Sequence, residues 1–332
     1  MEDKEDHENH WDILKDEYYV VIKSSYKLML NPFPLSCGFV NYQPTLTSEY
    51  QGVLLHRLDY ETLIDLERTI GRPIPLNQDR EWWGLGFAAI DGHVTRLGLP
   101  FVGLNILPKS IGNLFALQCL NLKSNKLNSL PDSMAYLISL ENLDLSSNLL
   151  HSIPEFFGDF CSLKTLLLNE NTIESIPECL CRLISLKYLN IAHNRLLYLP
   201  KKIGLLKALC WLDAESNQLT SLPSSICRLQ SLEKLNLSKN HLNILPKLFG
   251  KLKSLSELNL YENNLANLPE TIGNLQSLTK LVLGENKLTI LPESIGDLEN
   301  IAFLNLEWNL IEGLPKNFEY LINLKHLNLS GL

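Results

Sequence analysis

The sequence predicts an α/β chain wound as a right-handed solenoid, a curved horseshoe with a concave parallel β-sheet and short helical or 3-10 turns on the convex side. Three observations carry this reading. A 23-residue period runs from Val94 to Leu332 without insertion or deletion, each unit holds an alternating LxL core, and each full unit then carries a Leu-Pro or Ile-Pro pair followed by apolar residues three apart. Such a period marks one supersecondary unit stacked many times, since a single unit cannot bury its own apolar side. Length alone would suggest two ordinary domains for 332 residues, but that prior does not apply to solenoids.

The units open at Val94, Leu117, Leu140, Leu163, Leu186, Leu209, Leu232, Leu255, Leu278, Ile301 and Leu324; ten are complete and the eleventh stops after nine residues. Within each, the LxL alternation reads as a short strand with its leucines facing inward. At the ninth place stand Asn125, Asn148, Asn171, Asn194, Asn217, Asn240, Asn263, Asn286 and Asn309. An amide can donate to and accept from the backbone where the chain leaves the strand, so these read as a structural ladder rather than as catalytic groups. Proline then suits the first residue of a helical turn, where its missing N–H would be unpaired anyway. The apolar spacing of Ile272, Leu275 and Leu278 fits a short outer turn. The nineteenth place holds Gly at 112, 158, 204, 250, 273 and 296, Ala135, Cys181 and Cys227, as close packing against the next unit requires.

Ahead of the repeats, residues 50–93 read as an amino-terminal cap. Leu54, Leu55, Leu58, Leu63, Ile64, Leu66 and Ile70 have helical spacing, with Gly71 and Pro73 as the stop. Gly86–Ile90, the Asp91-Gly92 pair and His93–Leu99 read as a hairpin with a tight primed turn. Trp82 and Trp83 are expected to cover the core there. Residues 1–49 are an acidic tail and irregular segment, in which Tyr18–Ile22 is compatible with a strand. The chain stops partway through a unit, with Leu332 where an eleventh Asn would stand. Two readings of that end stay open: a surface for end-to-end pairing, or, as favoured, continuation into a longer protein.

The formal net charge of −8 is concentrated: residues 1–20 contribute −6, leaving −2 for the remaining 312. A nucleic-acid binder would show a basic face, so this balance argues against one. The amino-terminal residues show no basic stretch followed by an apolar core, no run of apolar residues is long enough to span a bilayer, and seven cysteines fit reduced thiols, so a cytoplasmic protein without a secretory signal is expected. Cys179 and Cys181 form only a C-x-C pair, too little for zinc.

The 23-residue units with their LPxxIGxLxxL turns resemble the intracellular leucine-rich-repeat proteins linked to Ras signalling: the plant intracellular Ras-group proteins, the Scribble-type LAP scaffolds and Ras suppressor. The resemblance covers Val94 to Leu332, about seven tenths of the chain. It implies a curved signalling scaffold without cofactor or catalytic residue, binding small GTPases, phosphatases or membrane-associated partners. The stretch Trp82–Leu97 is also similar to the cap of plant receptor-type repeats, but lacks that cap's paired cysteines.

The third, fifth, seventh and eighth places of each unit should face the concave side. Aromatics there cluster at Tyr188, Trp211, Tyr261, Phe303 and Trp308, the residue types that dominate interface energetics. Glu170, Asp213, Glu215, Glu257, Glu262, Glu285 and Glu307 accompany them, against Lys234, Lys239 and Lys280. The expectation is a docking face for a protein partner with a basic patch, charge steering the encounter and aromatics holding the complex. The competing reading is a sensor or substrate-binding portion of a larger signalling enzyme, such as a GTPase, kinase or ubiquitin ligase. Asp213 and Glu215, two apart on one strand, could suggest acid–base chemistry, but an open sheet should shift their pKa values little. No phosphate loop, nucleophile elbow, HExxH or dinucleotide fingerprint is present, so no enzyme activity is expected.

Overall fold

The structure is a computed structural model that describes residues 47–77 and 84–332. The acidic tail, Tyr18–Ile22, Trp82 and Trp83 lie outside the described residues. Strands β1 (Thr47–Tyr50) and β2 (Val53–His56) form a hairpin that leads directly into helix α1 (Arg57–Ile70). A second hairpin, β3 (Gly86–Ile90) and β4 (His93–Gly98), begins a twelve-stranded sheet. The sheet continues in chain order through β5 (Cys119–Asn121), β6 (Asn142–Asp144), β7 (Thr165–Leu167), β8 (Tyr188–Asn190), β9 (Trp211–Asp213) and β10 (Lys234–Asn236). It ends with β11 (Glu257–Asn259), β12 (Lys280–Val282), β13 (Phe303–Asn305) and β14 (His326–Asn328). Within this sheet only the β3–β4 pair is antiparallel; from β4 onward each strand pairs in parallel with the next, 23 residues on.

The cap corrects one expectation. Leu54 and Leu55 belong to β2, not to the helix, which starts at Arg57, and Leu54 is exposed. Gln51-Gly52 turns with φ of 50° and 80°, a primed turn that costs glycine nothing. Asp91-Gly92 makes the same turn between β3 and β4, with φ of 52° and 81°. Helix α1 ends as expected, with Gly71 left-handed at φ 72° and its N–H donated to the Glu67 carbonyl. It docks on the first repeat through Thr62, whose hydroxyl reaches the Ser110 carbonyl at 3.1 Å.

Inside the solenoid the internal units bury the same set of side chains, for instance Leu117, Leu120, Leu122, Leu127, Met134 and Leu137, all fully covered, whereas Leu314 and Leu327 in the last two units are exposed. Full burial of one such side chain is worth about 1.5–3 kcal/mol. The ninth-place asparagines do what their spacing predicts. Asn217 accepts the Leu196 N–H of the preceding unit at 3.0 Å and donates to the carbonyls of Ile191, Ala214 and Glu215. The same pattern recurs from Asn125 to Asn309, so each of the first nine junctions between units is stapled by one buried amide.

The outer turns are 3-10, as the three-residue spacing implies. A Cβ added at Gly112, Gly204, Gly250, Gly273 or Gly296 would stand 1.8–2.3 Å from a carbonyl oxygen of the following turn. Adjacent turns therefore touch backbone to backbone wherever the nineteenth place is Gly. Where it is Ala135, Cys181 or Cys227 the neighbouring turns pack less closely. After the two cysteines the next turn is also shortened, to Ile203–Leu205 and Phe249–Lys251.

Candidate protein-binding face

Parallel, in-register pairing turns the third-place residues into one continuous column on the concave side. Tyr188, Trp211, Lys234, Glu257, Lys280, Phe303 and His326 are consecutive partners in the sheet. At about 4.8 Å per strand, the column from Tyr188 to His326 is roughly 29 Å long. Its side chains touch along the ladder: Tyr188 meets Trp211 edge to face at 6.5 Å, and Lys234 Nζ lies 2.8 Å from a Glu257 carboxylate oxygen. The Lys280 ammonium sits over the Phe303 ring at 5.6 Å, and Phe303 lies 6.0 Å from His326.

A second column, from the seventh and eighth places, flanks the first. Glu215 pairs with Lys239 at 3.1 Å and accepts from the Asn236 amide. Tyr261 hydrogen-bonds Glu285, which, with the surrounding carboxylates, raises the phenol's pKa. Glu307 accepts the Asn305 and Asn328 amides at 2.9 and 2.7 Å. Glu262, Glu285 and Trp308 are exposed, Trp308 by 63%, and the indole packs over the Gly331 backbone. Two of the three lysines are thus engaged by Glu257 and Glu215, and the surplus of negative charge gathers at Glu262, Glu285 and Glu307 beside Trp308.

Asp213 departs from the expected picture. It is only 8% exposed and its carboxylate accepts the Glu215 N–H at 3.0 Å, so it closes a bend instead of facing a partner. Desolvation, with help from Glu215, pushes its pKa up to about 6, so the sheet does perturb this group. Asp213 belongs to a pattern that position-by-position alternation missed. At the fifth place Asn121, Asp144, Asn190, Asn236, Asn259, Asn305 and Asn328 all accept the N–H two residues on. The chain then passes through a left-handed residue at the eighth place, with φ between 50° and 57° at Phe101, Ser124, Ser147, Glu170, His193, Ser216, Lys239, Glu262, Glu285 and Trp308; the turn mimic supports this bend in most units, while Gly98, Leu167 and Val282 precede the same bend without it. The exposed side chains of the second column are therefore presented from a strained, fixed backbone. The recurrence of Asn or Asp at the fifth place was the available signal.

A family model described as leucine-rich repeat region matches residues 174–264, and one described as leucine rich repeat matches 138–196 and 261–311. This chain is a leucine-rich-repeat protein. Among solved structures the solenoid is similar to the plant peptide hormone receptor RGFR1, in complex with RGF2, at 32% identity and a TM-score of 0.62, over 68% of this chain and 38% of the receptor's. It is similar to PEPR1 in the PEPR1–AtPEP1 structure at 25% identity and a TM-score of 0.57, over 82% of this chain and 48% of that one. The functional domain of InlJ from Listeria monocytogenes shares the fold at 21% identity and a TM-score of 0.62, over 72% and 54% of the two chains. This chain thus spans between 38% and 54% of their lengths. No curated protein matches it in sequence.

Two further properties of the leucine-rich-repeat solenoid bear on chemistry. Its cysteines are free among the described residues, and burial pushes the Cys119 thiol up to about 11 and Cys181 to about 12, far from thiolate reactivity at neutral pH. Among the described residues no helix is long and apolar enough to cross a membrane.

Proposed function

We propose that this leucine-rich-repeat protein is a non-catalytic scaffold that binds a partner protein bearing a basic patch along its concave face. The observation that carries the reading is the continuous column from Tyr188 to His326, aromatic at both ends, running beside the carboxylates of Glu262, Glu285 and Glu307 and the exposed Trp308. Aromatic anchors with neighbouring charge of one sign are the composition of an interface centre with a steering rim. The similar structures of the plant peptide hormone receptor RGFR1 with RGF2 and of PEPR1 with AtPEP1 support recognition of a peptide or protein by such a solenoid. Free thiols support a reducing, cytoplasmic setting, in which a small GTPase is a candidate partner for a signalling role.

The test is capture by the full chain and by the double variant Trp211→Ala, Trp308→Ala, using purified small GTPases loaded with GDP or a GTP analogue alongside a panel of basic and acidic peptides. Wild type is expected to retain basic ligands, and the double variant to lose affinity by about tenfold or more with a nearly unchanged thermal transition. Equal capture by the two chains would overturn the proposal. Retention of basic peptides without any GTPase would leave the face and remove the GTPase.

A further inference from the structure

Away from the concave column, the cap brings together three side chains with metal-ligating chemistry. His56 ends β2 and stands at the N-cap of α1; Asp59 lies in the helix's first turn; His93 opens β4. The His56 N–H donates to the Gly92 carbonyl at 2.7 Å, and Gly92 lets the hairpin turn approach β2 closely, which fixes the three elements against one another. One nitrogen from each imidazole and one oxygen of Asp59 all lie within 4.8 Å of one another.

Ordinary structural roles account for only part of this cluster. Asp59 is fully buried, yet it does not cap its own helix: Oδ1 accepts the Val94 N–H at 2.7 Å, and Oδ2 sits 3.2 Å from His93 Nδ1. The His56 and His93 rings lie 5.0 Å apart, tilted by 32°. His56 Nδ1 is buried and has no hydrogen-bond partner among the described residues. Leaving such a nitrogen unpaired is costly. A cation between the rings would satisfy the orphaned nitrogen and neutralise the charge of the buried carboxylate together.

We propose that His56, Asp59 and His93 form a divalent transition-metal site, of the Zn(II) class, that clips the cap to the first repeat. Ligand atoms around a tetrahedral ion with bonds of about 2.0 Å stand about 3.3 Å apart. The Asp59–His93 distance of 3.2 Å already meets this. The remaining ligand-atom separations are no more than 4.8 Å, so binding requires the half-buried His56 to move inward by about 1.5 Å. Two imidazoles and one carboxylate select zinc, cobalt or nickel over magnesium or calcium, which prefer all-oxygen shells. Three protein ligands leave a fourth position for water. The site faces the first repeat and is independent of the concave-face reading.

The experiment uses the reduced full chain, stripped with EDTA and titrated with Zn2+ by calorimetry and with Co2+ by absorption spectroscopy. Expected are one saturable site, visible d–d bands without the near-ultraviolet thiolate band that cysteine ligation would give, and a thermal transition raised by Zn2+. Asp59→Asn keeps an oxygen to accept the Val94 N–H, so it should fold while losing affinity by about 100-fold. His56→Ala with His93→Ala should abolish the site, and His193→Ala should leave it intact. Absence of saturable binding in wild type, a thiolate band, or binding that survives the double histidine variant would each overturn the site.

Discussion

Replacing Asp213 by Asn should make the protein more stable at neutral and alkaline pH, and the size follows from the carboxylate's surroundings. Its pKa rises from 3.8 to about 6 because the folded chain desolvates it and places Glu215 beside it. At about 1.36 kcal/mol per unit, the folded state is penalised by roughly 3 kcal/mol once the group is ionised. Below about pH 4 the carboxyl is protonated in both states and the penalty vanishes. Between about pH 4 and 6 the unfolded chain releases the proton while the folded chain retains it, so stability falls as pH rises through that window; above it the full penalty is present. Asparagine keeps an oxygen for the Glu215 N–H, which Asp213 now receives at 3.0 Å, and carries no charge. It is also the residue at this place in neighbouring units, as Asn190 and Asn236. The variant should gain about 1–3 kcal/mol at pH 8, a rise in Tm of roughly 3–8 °C, and match wild type near pH 4. Calorimetric melts of both chains across this range are the assay. An Asp213→Asn chain no more stable than wild type at pH 8, or equally advantaged at pH 4, would refute the desolvation argument.

Removing a ladder amide should be expensive: Asn217→Ala orphans the Leu196 N–H, while the carbonyls of Ile191, Ala214 and Glu215 keep donors in Asn194, Asn240 and the His193 N–H, so it should cost about 1–3 kcal/mol, with hydrogen exchange accelerated first at Leu196. Conversely, His193→Gly relieves a left-handed residue at φ 53° and should raise stability by about 0.5–1 kcal/mol in urea titrations. Gly250→Ala forces a Cβ to within 1.8 Å of the Thr271 carbonyl and should destabilise by about 1–3 kcal/mol, read as a lowered denaturation midpoint.

The solenoid was legible because its signals are redundant: inward leucines, ninth-place asparagines and prolines repeat in a fixed register, so each unit checks the others. What escaped was local. Leu54, Leu55 and Leu58 match helical spacing, and only the Gln51-Gly52 turn separates β1 from β2, so strand residues were absorbed into the helix. The third-place column was readable from alternation because each of those residues opens its strand directly before an inward leucine, so the in–out pattern fixes its face. Asp213 was not, since at the strand's last residue a short polar side chain folds back onto its own backbone. His56 and His93 carry no shared spacing signal; the close packing of the two hairpins joins them.

The nineteenth-place residues set more than packing. Along the concave side the strand spacing is fixed by hydrogen bonds at about 4.8 Å, so the bend of each junction depends on how far apart the outer turns are held. Ala135, Cys181 and Cys227 act as wedges, and the glycines between them let adjacent turns close up. Up to Cys227, wedges and closures alternate; beyond it Gly250, Gly273 and Gly296 follow without interruption. By this geometry a junction held apart at its outer turn should bend more than one closed by glycine, and the junctions at Gly250, Gly273 and Gly296, behind Tyr261, Phe303 and Trp308, are all of the closed kind. One small side chain per unit is therefore expected to gauge curvature, so that exchanging glycine for alanine or cysteine on the convex side would retune the groove offered to a partner without altering any residue that would touch it.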